Sequence, residues 1–109
     1  MNNTKDDAYY IAKAIKDIDA IESYFQNKTY EQFIKDDMLI DAIMFRLVQM
    51  IENIKNISTK FKNDHPNIDW GKIVGFRNGI VHEYGSTDYS VVYQIINEDL
   101  SELRDTLLH

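Results

Sequence analysis

The run Asp36-Asp37-Met38-Leu39-Ile40-Asp41-Ala42-Ile43-Met44-Phe45-Arg46-Leu47-Val48-Gln49-Met50-Ile51-Glu52-Asn53-Ile54 decides the architecture. Ile40, Ile43, Met44, Leu47, Met50, Ile51 and Ile54 recur at helical spacing, and Ile57 and Phe61 continue the series. Such spacing gathers them on one stripe of an α-helix, which turns once every ~3.6 residues. Asp36-Asp37 can start the helix, because a carboxylate there accepts from backbone N–H groups that lack a partner. The pattern predicts one long helix over about 37–62.

The same period extends in both directions. Thr4, with Asp7 three residues on, can cap a first helix whose face is Ala8, Ile11, Ile15, Ile18, Ile21 and Phe25. Asn27-Lys28 breaks that pattern, and Thr29-Tyr30-Glu31-Gln32 reads as a capping box opening a short turn with Phe33 and Ile34. Beyond the long helix, Lys62 to Asn67 is a connector, since the residue before Pro66 is pushed away from helical geometry. A further helix is expected from about Asp69 to Tyr84, carrying Trp70, Ile73, Val74, Phe76, Ile80 and Val81, with Gly85 closing it. Thr87 or Asp88 can cap the last helix, with Val92, Ile95, Ile96, Leu100, Leu103 and Leu107 facing inward. No stretch alternates as a strand would. The expected fold class is all-α, an antiparallel four- to five-helix bundle, with residues 1–109 forming a single domain.

Composition narrows the functions available. There is no cysteine, which removes disulfides, thiolate metal sites and cysteine nucleophiles. No apolar run approaches the ~20 residues that span a bilayer. The N-terminus lacks the basic-then-apolar layout of a signal peptide, so no membrane partner and a cytoplasmic location are expected. The net charge of −6 argues against a broad nucleic-acid footprint. An RNA substrate would have to rest on a local cluster drawn from Lys72, Arg77 and Arg46. His65 and His109 have no metal-ligand spacing, and Asp36-Asp37 and Asp17/Asp19 read as a cap and a solvated face, so neither a metal nor a cofactor is expected.

Chemistry concentrates in Arg77-Asn78-Gly79-Ile80-Val81-His82-Glu83-Tyr84-Gly85. Arginine is a permanent cation that holds a phosphate through parallel hydrogen bonds. Histidine both accepts and donates a proton near neutral pH. Together they suffice for RNA cleavage without a metal. His82 would lie in a final helical turn, where the terminal carbonyls favour the imidazolium form. On an ideal helix Arg77 and Tyr84 project almost the same way, while Arg77 and His82 are about 140° apart. Both tips reach one groove only if the last turn loosens or a partner subunit completes the site. Gly71, Gly75 and Gly79 form a smooth strip along the same helix, read first as close packing within the bundle. The alternative is that the strip admits a second subunit or a nucleotide backbone.

The spacing Arg-x4-His-x-Tyr, with Asn directly after the Arg, resembles the signature of HepT-like proteins of the HEPN superfamily. The likeness extends over Trp70 to Asn78, His82 to Tyr84, Asp88 and the helix with Asp99, Leu100 and Leu103. The resemblance implies a metal-independent endoribonuclease acting as the toxin of a toxin–antitoxin pair. It implies Arg77 and His82 as the catalytic pair, Asn78 as the supporting polar residue, and Tyr84 as the tyrosine modified with AMP. The implied partners are RNA as substrate, a minimal nucleotidyltransferase as antitoxin, and a second copy of the chain in a homodimer. The alternative is a non-catalytic helical module that docks a nucleotidyltransferase and presents Tyr84 to it.

Overall fold

A computed structural model describes residues 5–82 and 88–109, the side chains of Val81 and His82 excepted. Among the described residues every regular element is helical. The chain runs α1 (Asp7–Phe25), α2 (Tyr30–Ile34), α3 (Asp37–Lys55), α4 (Thr59–Asp64), α5 (Trp70–His82), α6 (Tyr89–Gln94) and α7 (Leu100–Leu107). A π turn, Ile95–Asp99, joins the last two. The all-α expectation holds.

α1 and α3 are the structural axis, and three ties fix their antiparallel sense. Asp7 near the start of α1 reaches Ser58 just beyond α3, while Asp17 further along meets Asn53 and Arg46. The apolar faces read from the sequence lie between them: Ala14, Ile18, Ile21, Ile43, Met44, Leu47, Ile51 and Ile54 are all essentially sealed from solvent. Burial of a side chain this size stabilises by roughly 1.5–3 kcal/mol, so this seam dominates the fold's stability. At one end of the bundle Phe25 and Phe33 pack edge-to-face, joined by Tyr93 on Phe25 and Tyr89 on Phe33.

Start signals explain the boundaries. The box at Thr29–Gln32 is complete: Gln32 N donates to Thr29 Oγ1 at 3.1 Å, and Thr29 N to Gln32 Oε1 at 2.8 Å. Asp36 accepts from Leu39 N and opens α3. Asp88 accepts from Ser90 N and opens α6, while Thr87 lies outside the described residues. α1 begins later than expected. Asp6 caps it by accepting from Tyr9 N, and Thr4 falls outside the described residues.

Two expected helices are interrupted. The long helix expected over about 37–62 stops at Lys55, and α4 starts afresh behind Ser58. Asn56 turns its amide back to Glu52 O at 2.9 Å, and Ser58 Oγ accepts from Phe61 N at 3.1 Å. Side chains of this kind compete with the helical ladder and favour a boundary. The Asp7 carboxylate then clamps Ser58, accepting from its N at 2.8 Å and its Oγ at 2.6 Å. The last helix keeps its inward set, with Val92, Ile96, Leu100, Leu103 and Leu107 buried and Ile95 half-buried, but it widens into the π turn midway.

Candidate functional site

α5 carries the motif, and its start is pinned by two local devices. Asp69 Oδ1 accepts from Lys72 N at 3.0 Å, and Trp70 Nε1 donates to both Lys62 O and His65 O at 3.1 Å. The His65 ring stacks on Phe61 and makes a 2.8 Å contact with Phe61 O, so this histidine belongs to the turn after α4. α5 rests mainly on α3. Ile80 is buried, Trp70, Ile73, Val74, Phe76 and Arg77 are half-buried, and the remaining described side chains are exposed.

Arg77 emerges where α5 meets α3. Its Nε lies 2.5 Å from Glu52 Oε1 on α3, with the two side chains 28% and 36% exposed. Both of these atoms are themselves buried, and neither finds an aligned hydrogen-bond partner. The pair is therefore held by charge and proximity rather than by a well-directed N–H···O bond. On the other edge Nη1 approaches Asn78 Oδ1 at 3.4 Å, a long contact. Among the described residues, the rest of the guanidinium's N–H donors have no hydrogen-bond partner.

The remaining expected site residues divide. His82 closes α5, so its backbone is helical one turn beyond Asn78, and its side chain lies outside the description. Tyr84 lies outside the described residues, as does the helix closure expected at Gly85. Lys72 is exposed on α5. Arg46 does not join it: its Nη1 donates to Asp17 Oδ1 at 3.0 Å, committing it to α1. Asp17 also departs from expectation. It is buried and also accepts from Asn53 Nδ2 at 3.0 Å, whereas Asp19 is exposed and pairs with Arg104.

The glycine strip is open. A Cβ added at Gly75 or Gly79 would meet nothing within 4 Å, and at Gly71 only the Asp69 side chain at 3.8 Å. Among the described residues, no other helix packs against these glycines. Beside the strip, a cleft of about 610 Å³ separates α5 from α6, the π turn and α7. Ile51, Ile73, Phe76, Ile95 and Leu103 line it, with Asp69, Asp99 and Glu102 beside Lys72. Three carboxylates repel a phosphate, and Arg77 is not among the lining residues. The cleft and the arginine are separate features of one helix.

Glu52 is the residue that reading the sequence missed. It lies beside the apolar stripe with no local signal, and only the packing of α5 on α3 reveals its partner.

An all-α bundle that holds the arginine of an Arg-x4-His helix against a neighbouring helix defines a protein of the HEPN-like class. Comparison with known proteins sharpens that. The family model described as ribonuclease HepT-like matches residues 14–109, and the chain belongs to that family. A Thermococcus cleftensis protein named "probable ribonuclease HepT" is 28% identical over 95 residues, covering 87% of this chain and 86% of its own. A provisionally named RNase of Caldanaerobacter subterraneus subsp. tengcongensis is 26% identical, over 86% of this chain and 84% of its own. A Methanocaldococcus jannaschii protein, whose name joins gamma-glutamylcyclotransferase to a provisional RNase, is 26% identical over 95% of this chain. The match covers 47% of that relative, so the chain spans about half its length. No solved structure matches the chain.

Proposed function

We propose that this protein is a metal-independent endoribonuclease in which Arg77 and His82 act on one RNA phosphate. The supporting observation is Arg77 itself. In a member of the ribonuclease HepT-like family, the motif arginine is held at the α3–α5 seam with N–H donors left for an anion. His82 moves the protons as the ribose 2′-hydroxyl attacks the neighbouring phosphate. Arg77 stabilises the charge that builds on the phosphoryl oxygens. Asn78 steadies the Nη edge. The product is a 2′,3′-cyclic phosphate. Cleavage of a labelled RNA in the presence of a chelator, ending in that cyclic phosphate, tests the reading. A requirement for added magnesium, or full activity in His82→Ala, overturns it.

Two finer elements complete the proposal. The active form is a two-fold homodimer, supported by the open glycine strip and by the angle of about 140° that separates Arg77 from His82 on one helix. An isologous interface brings two motif helices to one groove. The protein is the toxin of a toxin–antitoxin pair, silenced when a minimal nucleotidyltransferase adds AMP to Tyr84. A phosphate there places negative charge near Arg77 and takes the substrate's space. Mass spectrometry of the chain co-expressed with a neighbouring nucleotidyltransferase tests this, and an unmodified Tyr84 in a neutralised complex counts against it.

The net charge of −6 favours a second reading, a non-catalytic module that docks the nucleotidyltransferase, because that role needs no RNA affinity. Growth arrest on expression of the wild type but not of Arg77→Ala separates the two.

A further inference from the structure

We infer that Glu52 is the positioning residue for Arg77, fixing the guanidinium through Nε so that its Nη edge faces the substrate phosphate. The inference rests on the ribonuclease reading above. Arginine can grip an oxyanion in a side-on manner, through Nε and one Nη, or end-on through both Nη groups. Here Glu52 Oε1 lies 2.5 Å from Nε, on the side-on edge, as a close ion pair without an aligned hydrogen bond. Nε is buried and, among the described residues, has no aligned hydrogen-bond partner, so the adjacent Glu52 charge is what offsets its burial. Without that charge, a buried cationic donor is costly enough that the side chain would swing toward water. Glu52 therefore determines where the cation rests, and the end-on edge remains for the anion.

Glu52 is also well placed for such a task. It projects from α3, the most securely buried helix of the bundle, with Ile51, Asn53 and Ile54 beside it sealed into the core. Arg77 stands on α5, which has open space on its glycine side. A rigid acid thus orients a cation borne on a less constrained helix. A carboxylate that competed with phosphate for Arg77 would make the opposite prediction.

The experiment compares Glu52→Ala and Glu52→Gln with wild type in steady-state RNA cleavage. The alanine variant loses the holder, and kcat falls roughly 10- to 100-fold with a smaller change in KM, since a catalytic group displaced by ~1 Å can cost that much. The glutamine variant keeps an oxygen against Nε but not the charge, so kcat recovers in part. It also removes a negative charge beside the phosphate, so its KM falls. Wild-type kcat in Glu52→Ala, equal losses in both variants, or a gain of activity in both would each overturn the assignment. A second readout needs no catalysis. The arginine Nε–H signals in ¹⁵N NMR, with that of Arg77 assigned by Arg77→Lys, report whether its Nε–H is protected from exchange. Protection in wild type and Glu52→Gln but not in Glu52→Ala upholds the pairing even if the wild type cleaves no RNA. An unprotected Arg77 Nε–H in wild type overturns it.

Discussion

Two acid–arginine pairs start from the same helix and serve opposite ends. Toward α1, Asp17 is almost fully enclosed, its side chain 7% exposed, and both carboxylate oxygens accept at 3.0 Å, one from Arg46 and one from Asn53. Toward α5, Glu52 is 36% exposed and makes one close, misaligned contact with Arg77. In the first pair the carboxylate is saturated, with both oxygens accepting. The second, among the described residues, leaves donors of Arg77 without a partner. The α1–α3 half is where the bundle is held together, and the α3–α5 half carries the proposed site.

The sharpest way to break this contrast is at the motif. His82→Ala is expected to lower RNA cleavage by ~10²–10⁴-fold, the usual contribution of one general acid–base group, with the thermal midpoint unchanged. A variant that instead unfolds would make His82 part of the scaffold. Next comes Asp17→Ala, which strands Arg46 and Asn53. Breaking a buried pair typically costs ~3–5 kcal/mol, and because Arg46 is partly in water about 2–3 kcal/mol is expected in urea denaturation. Any loss of cleavage in that variant should vanish under conditions where it is fully folded.

Gly75→Ala tests the open strip. With nothing within 4 Å of the new Cβ, the substitution should stabilise the folded chain by about 0.5–1 kcal/mol through helix propensity. If a second copy packs on the strip, the same methyl weakens dimerisation, visible in sedimentation as greater dissociation at low concentration. The smallest effect concerns acid. The side-chain and backbone hydrogen bonds from Ser58 hold the Asp7 carboxyl below its ordinary value of 3.8. Its folded-state value is depressed, so its stabilising contribution is present above the ordinary value and is lost as pH falls through the lowered one. Asp7→Asn should flatten that acid limb and leave stability near neutral pH only slightly reduced.

Much of the bundle was legible because its information is local. The stripe from Ile40 to Ile54 needs only its own period, and the box at Thr29–Gln32 and the caps at Asp36 and Asp88 close within three residues. The break after Lys55 was not legible, because Ile57 and Phe61 stay in phase with the stripe. Asn56 and Ser58 are local boundary signals that this period overrides in the sequence, and the Asp7 carboxylate at the start of α1 secures them in the fold. Asp17 looked solvated for the same reason: its partners are on α3. The glycines at 71, 75 and 79 announce a smooth surface, but whether anything lies on it depends on neighbours. Of the site, Arg77 could be singled out from its motif, and Glu52 could not, because nothing near it in the chain names its partner.

The π turn at Ile95–Asp99 bears on how long this helix is allowed to be. One residue too many in a plain α-helix rotates everything downstream by about 100°, which would turn Leu100, Leu103 and Leu107 out of the core. A single wider turn absorbs the surplus, so α7 stays in phase with Val92 and Ile96. Removing exposed Asn97 should thus shorten the chain without disturbing either face. The bundle behaves there as a ladder that can take in or give up one rung and still reach the same two walls.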